Sequence, residues 1–439
     1  MCKSYNVTVR SRCNVVPAVA TPQPSVKKLS NLDVLVCGNR FTKQVFYFNP
    51  ATSISCRSCV EGLQESDLSH ALARYYLLAG RPARCHAVGT HYHINCNDAG
   101  VPFLEASTEA RFDSWPDGIR RCTTEEQLSP PQPTLVDTDT AALLQVQVTK
   151  FGCGGIAIAY AVSEMVVDAH SSFQFFAAWS QVHSSGIAND GFPPMNLSLG
   201  PCPLFNLGKL LEARQPPNVN PILHMRSSVK ISQLPKGHGP FGTYGRATSF
   251  EALSALLWKC ITQARALPDQ LVTKFTYPIS FRNNAQRWET IIPEECFGNA
   301  VHVSCLPTKA GGIKSKHISY TANLIHKDVC SISVETVRST IDWIKIQLEQ
   351  GNLVGMECDV SGGRDIFIAP LYTFPIYHMD FGFGNPLYYS LVALGDGAAY
   401  ILPTRDGGRN REISVTLPKI HMKTLINDQL FRTFIKESF

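Results

Sequence analysis

Apolar and polar residues alternate with a period of two along Leu144, Gln145, Val146, Gln147, Val148 and Thr149, which predicts a half-buried strand arriving at Gly154 and Gly155. After those glycines the pattern changes. Ile156 to Val162 is apolar throughout, as expected of a strand covered on both faces. Ser163 to Asp168 breaks the run, and Ser171 or Ser172 can then cap a helix that carries Phe175, Trp179 and Val182 on one side. Two carboxylates, Glu164 and Asp168, therefore fall in a strand-to-helix loop, where an α/β protein usually places its chemistry.

Other segments have equally plain periods. Val45 to Phe48 is a short aromatic strand, and Leu63 to Tyr76 has the spacing of an amphipathic helix, with Leu68, Leu72 and Tyr75 on one side and Gly80 as its stop. His91 to Ile94 predicts a strand, Cys96 to Gly100 a hairpin turn, and Val101 to Ala106 the strand after it. Leu128 to Pro133 is a loop. Asn189 to Pro221 holds seven prolines and is the best linker between two halves. Beyond it, Ser249 caps a helix to Arg265 with Phe250, Leu253, Leu257 and Ile261 facing a core, Phe275 to Phe281 is a strand, and Phe297 to Ala300 opens another. Val334 to Leu348 is a further helix.

Composition narrows the classes. A chain of 439 residues with 44% hydrophobic and 17% charged positions can bury a large α/β core or two. A net charge of +5, without a dense Lys/Arg block, argues against nucleic acid as a partner. There is no run of eighteen apolar residues and hence no expected membrane span. The first 22 residues lack a signal-like apolar core, so a cytoplasmic location is expected and the Asn196 sequon carries no meaning there; the expected state is a monomer. The 15 cysteines are scattered and suit small buried thiols. Cys56 and Cys59 form a lone CxxC, and His91 with His93 lacks a third ligand, so no metal is expected.

The run Val148 to Gly155, the apolar strand after it and the Ser163 to Asp168 loop resemble the centre of the plant BAHD acyl-CoA-dependent acyltransferases. So do Tyr75 to Arg81, similar to a YPLAGR turn with Leu77 for its proline, the Cys96 to Gly100 turn, the Ser249 to Arg265 helix, the strand before Arg282 and the FGNA of Phe297 to Ala300. Asp380, Phe381, Gly382, Phe383 and Gly384 resemble the family's DFGWG, with Phe383 for the tryptophan. The likeness runs from about Leu29 to about Met422. It departs at the centre: the signature HxxxD has its histidine where Glu164 stands, while Asp168 matches the aspartate.

The resemblance implies an α/β fold of two chloramphenicol-acetyltransferase-like domains with a tunnel between them. The first would cover residues 1–205, with about 362–390 packing on it, a crossover linker 206–230, and the second 231–439. It implies acyl-CoA as co-substrate, no bound cofactor, and a small plant alcohol or amine as acceptor. Ser280, Arg282 and Asn299 correspond to positions lining or supporting the cofactor side, and Lys309, Lys314 and Lys316 are candidates for its phosphates. Asp168 would hold the loop by pairing with an arginine. Phe383 lacks the indole N–H considered as a donor to a developing oxyanion. Thr373 replaces the arginine that shikimate- or quinate-using members carry, which disfavours such acceptors.

Three roles are open to Glu164: a carboxylate base in place of imidazole, a group in a site that has lost acyl transfer and acts as a lyase, or a loop residue of a non-enzymatic accessory or binding protein. His170 is expected to point elsewhere. Because no GxSxG elbow is present, transfer would be direct, without an acyl-enzyme.

Overall fold

The computed structural model describes residues 6–21, 25–35, 40–49, 63, 67–84, 92–111, 125–131, 141–184, 203–219, 247–282, 292–350, 363–392 and 395–434. Cys56, Cys59, His91, Asn196 and the parts 189–202 and 220–221 of the Asn189 to Pro221 stretch lie outside the described residues.

The strands, numbered along the chain, form three sheets. The largest runs in the order β1 (Thr8–Val15), β6 (Val101–Thr108), β7 (Leu144–Phe151), β8 (Ile156–Ser163), β3 (Phe41–Phe48) and β12 (Tyr388–Val392). A five-stranded sheet has the order β10 (Val301–Lys309), β9 (Val272–Ser280), β11 (Ile366–Pro370), β13 (Ala398–Pro403) and β14 (Arg411–Val415). A small one joins β2 (Val26–Lys28), β5 (Tyr92–Asn95) and β4 (Arg81–Arg84).

Period-two geometry explains the apolar run of β8. Ile156, Ile158, Tyr160 and Val162 face Phe173, Phe176 and Trp179 of the helix Ala169–Ser184, while Ala157 and Ala159 face Val45, Leu128 and Phe151 on the other side. Phe46 of β3 stacks on Phe176 at 4.2 Å. Between sheet and helix lies a buried polar chain: Tyr389 donates to Gln44 Oε1 (2.8 Å), Gln44 Nε2 donates to Ser172 Oγ (3.0 Å), and Ser172 meets the Tyr160 hydroxyl at 2.8 Å. This chain fixes how the helix sits on β3, β8 and β12.

Several local expectations are corrected. β7 is not half-buried, because Gln145, Gln147 and Thr149 are buried as well; Gln147 Nε2 donates to Gln127 O and Thr149 Oγ1, so residues 125–131 cover the polar face. Cys96 to Gly100 is no hairpin, since β5 pairs within the small sheet and β6 within the large one. The helix after the Asp168 loop is capped by Asp168, whose Oδ1 accepts the Ser171 N–H (3.0 Å), not by a serine. Thr248 rather than Ser249 caps the Ser249–Ala264 helix, in a capping box with Glu251. The Leu63 to Tyr76 helix is described only as Leu68–Arg74, followed by a 3₁₀ turn, Tyr76–Ala79.

Segments cross between the halves at both ends of the chain. The helix Asn31–Leu35 sends Leu32 and Val34 into the core that Leu257, Trp258, Phe275 and Tyr277 form beside the five-stranded sheet. Within 362–390, β11 pairs in the five-stranded sheet, Ile376, Tyr377, Met379 and Phe381 pack into the core of the six-stranded one, and β12 follows at that sheet's edge on β3. The described part of 206–230 carries a short helix, Leu207–Leu210, and is pinned where Arg214 Nε donates to Asp342 Oδ2 (2.6 Å).

Replacing Phe46 by Ala should lower unfolding stability by about 3–5 kcal/mol, the range for emptying a buried aromatic site. Urea unfolding followed by tryptophan fluorescence checks it; a loss below about 1 kcal/mol would mean that this layer repacks freely.

Candidate active site

The loop between β8 and the Ala169–Ser184 helix meets the FGNA turn of the second half, and buried polar groups hold the two together. Arg282, just past β9, donates from Nη1 to Asp168 Oδ2 at 2.5 Å. Its Nη2 reaches Ser171 Oγ (3.2 Å), Cys296 O (3.1 Å) and Gly298 O (2.8 Å). Asp168 also accepts the Ala300 N–H (3.0 Å), and Ser171 Oγ accepts the Gly298 N–H and donates to Gly298 O, each at 3.0 Å. Gly298 has φ +134°, which demands glycine, while the 2.8 Å contact a Cβ would make with Leu207 Cδ1 could be relieved by that flexible side chain. Beside it, Phe297 crosses into the first half's core against Tyr75 (5.3 Å) and Phe205 (5.5 Å).

Burial by itself raises the Asp168 carboxyl, but the Arg282 charge and the hydrogen bonds outweigh it and hold the group below the usual carboxylate range. Arg282 has its side chain 3% exposed, with its guanidinium committed to Asp168, Ser171 and the Cys296 and Gly298 carbonyls. It is the arginine partner of Asp168, a supporting place at the seam.

Asn299 is also buried. Its Nδ2 donates to Asp33 Oδ1 and to the Glu164 carbonyl, both at 2.9 Å, and its own N–H goes to Asp33 Oδ1 (3.1 Å). Asp33 is the residue that the sequence analysis missed. Burial drives its carboxyl upward more than its hydrogen bonds from Ser30 and Asn299 lower it. The signal was available in Ser30-Asn31-Leu32-Asp33, a capping-box spacing in which Asp33 Oδ2 accepts the Ser30 N–H (2.6 Å) and Ser30 Oγ accepts the Asp33 N–H (3.2 Å).

Glu164 sits at this seam, partly exposed. Its backbone is fixed on both sides, with its N–H on Arg40 O (3.1 Å) and its carbonyl taking Asn299. Oε1 accepts the Thr42 hydroxyl at 2.9 Å, and Oε2 accepts nothing from the described residues. Among the described residues the carboxylate is thus held at one oxygen alone.

His170 turns away toward the second half, where Nε2 meets Glu294 O (3.0 Å) and the ring lies by Phe374. Burial, then the Arg282 charge, lowers its pKa. Of the expected cofactor-side residues, Ser280 alone is exposed, and its Oγ accepts the Arg282 N–H (3.2 Å). Thr373 is exposed, beside Phe374, which stacks on Phe173 at 4.8 Å. The lysines have local partners: Lys309 with Gln270, Lys314 with Asp269 and Leu267 O, and Lys316 over the Tyr320 ring. Among the described residues there is no His/Cys/Asp/Glu group able to hold a metal.

The DFGFG turn lies elsewhere. Asp380 Oδ1 accepts the Gly384 N–H (2.9 Å), and Gly382 and Gly384 have φ of +76° and +81°, so the motif is a backbone device. Phe383 packs against Phe48 and His183. Phe48 is six strand residues from Thr42, about 20 Å, and His183 is fifteen helix residues from Asp168, about 22 Å. Phe383 therefore stands at the opposite end of the sheet and helix from Glu164, which corrects the idea that its lost indole N–H bears on an oxyanion there.

A transferase family model matches residues 5–201 and 206–431, so the chain belongs to that family, the one formed by the BAHD acyltransferases. It is 28% identical over 440 residues to rosmarinate synthase of Plectranthus scutellarioides, covering 95% of this chain and 97% of that protein. It is 26% identical over 453 residues to shikimate O-hydroxycinnamoyltransferase of Nicotiana tabacum, covering 95% and 98%. The fold matches crystal structures of vinorine synthase (TM-score 0.69, 18% identity, 95% and 96% of the two chains) and of F. graminearum TRI101 complexed with coenzyme A and T-2 mycotoxin (TM-score 0.70, 13%, 93% and 99%). It is the two-domain, chloramphenicol-acetyltransferase-like α/β fold.

Replacing Arg282 by Met leaves Asp168 buried without its counter-charge and should cost about 3–5 kcal/mol near neutral pH. Because folding depresses the Asp168 pKa, its stabilisation is full above the ordinary carboxylate value of about 3.9 and disappears as pH falls through the lower folded value. The Arg282→Met deficit should therefore shrink toward acid pH in urea titrations; a pH-independent deficit would assign the loss to packing. Phe383→Trp, remote from the seam, should leave any catalytic rate within about twofold of the native chain.

Proposed function

We propose that the protein transfers an acyl group from acyl-CoA to the hydroxyl or amine of a small metabolite, with Glu164 as general base. What supports this reading is the Glu164 carboxylate, which falls where the resemblance puts the family's base, on a loop held by Asp168 and Asn299, with no partner for Oε2 among the described residues. Glu164 would take the acceptor's proton as oxygen or nitrogen attacks the thioester carbon. It would return that proton to the sulfur as the C–S bond breaks. Thr42 positions the base through Oε1, while Asp168, Arg282 and Asn299 hold the loop without touching substrate.

The relatives' names point to hydroxycinnamoyl-CoA as the first donor to test. Exposed Thr373 supplies no guanidinium for a carboxylated acceptor, which favours neutral alcohols and amines.

Purified protein mixed with hydroxycinnamoyl-CoA and a panel of such acceptors should release free CoA thiol together with an ester or amide. Glu164→Gln should reduce kcat by roughly 10²–10⁴-fold, the usual worth of a positioned base. Full activity in Glu164→Gln, or activity that appears only in Glu164→His, would sink the base assignment. If no pair is turned over and CoA does not raise the melting temperature, the chain is an accessory protein instead.

A further inference from the structure

Away from the seam, the helices Ser249–Ala264 and Ile318–Ser331 align an acid, a base and a nucleophile. Glu251 has its side chain 4% exposed and both oxygens engaged: Oε2 closes the capping box on the Thr248 N–H (2.8 Å), and Oε1 meets His326 Nδ1 at 2.8 Å. Four residues along the helix from His326, on the same face, Cys330 Sγ lies 3.6 Å from His326 Nε2. Cys330 is exposed, whereas the other described cysteines are buried or half-buried.

The order of contacts fixes the tautomer. A carboxylate only accepts, so Nδ1 carries the proton toward Glu251, and Nε2 presents its lone pair to the thiol. Proton transfer from Sγ to Nε2 then gives a thiolate beside an imidazolium that is still paired with Glu251. The helix ends at Ser331, so the turn at Cys330 presents the carbonyl end of the helix and not N–H donors, and the imidazolium is the charge that holds a thiolate there. Such a turn cannot stabilise a tetrahedral oxyanion, which disfavours acyl chemistry at this sulfur. Thiol–disulfide exchange forms no oxyanion and needs only a thiolate and a proton for the leaving sulfur.

We propose that Cys330 is a modification site that exchanges with small-molecule disulfides of the glutathione type, with His326 as its base and Glu251 as the residue that positions the base. His326 takes the thiol proton, and the Cys330 sulfur attacks one sulfur of the disulfide. The old S–S bond breaks as the new one forms. The departing thiolate collects the proton from His326, so Cys330 is oxidised to a mixed disulfide while the leaving half is reduced to a thiol.

The test incubates the full chain with oxidised glutathione, quenches in acid and follows the Cys330 peptide by mass spectrometry. Cys330 should be modified at least about tenfold faster in the folded chain than in the urea-unfolded chain. His326→Ala should fall to the unfolded rate, and added imidazole should restore part of it, which a structural role for His326 would not allow. Glu251→Gln, of the same volume, should slow the reaction several-fold. Equal folded and unfolded rates, or an unchanged rate in His326→Ala, or no recovery with imidazole would overturn the proposal.

Discussion

The buried ion pair between Asp168 and Arg282 is the constraint on which the rest of the molecule turns. Each charge alone in that interior would carry a desolvation cost of several kcal/mol. Together they are tolerated because every contact is shared: the carboxylate also caps the Ala169–Ser184 helix and accepts the Ala300 N–H, and the guanidinium also holds the carbonyls of Cys296 and Gly298. A single pair thus sets a helix start in one half and a strand start in the other. The two sheets cannot shift against each other without exposing both charges to an unmatched environment.

This arrangement separates the shape of the loop from its chemistry. The contacts that shape it use Asp168 and the backbone of Glu164, and among the described residues the Glu164 side chain contributes only the hydrogen bond from Thr42. A change of residue at position 164 is therefore compatible with an unaltered loop. The pocket chemistry can diverge while the scaffold around it stays fixed, which is how a family keeps one architecture and varies its sites.

Much of the fold was legible because its strong periods match its burial. The all-apolar run of β8 is covered on both faces, and Phe175, Trp179 and Val182 all point inward. β7 misled because alternation records polarity, not exposure, and Gln147 satisfies its amide inside the protein. The helix caps were each misplaced because Ser, Thr and Asp all cap, and only the local backbone decides among neighbours. At the site, Glu164 and Asp168 were visible from the strand-to-helix break. Arg282 and Asp33 took their roles from contacts more than 100 residues away along the chain, which no local pattern encodes. Phe383 was given a chemical role because sequence does not show that six strand residues separate its neighbour Phe48 from Thr42.

The placement of β12 has a consequence for how the protein is made. Its five residues, close to the end of the chain, pair along β3, which is synthesised among the first fifty. Until the ribosome has delivered residue 392, the N-terminal sheet carries an unpaired edge flanked by Val45, Phe46, Tyr47 and Phe48, and such an edge invites pairing with another nascent chain. A polypeptide cut short before β12 would keep that edge permanently, so for this architecture chaperone demand and sensitivity to premature termination are built into the order in which the strands emerge.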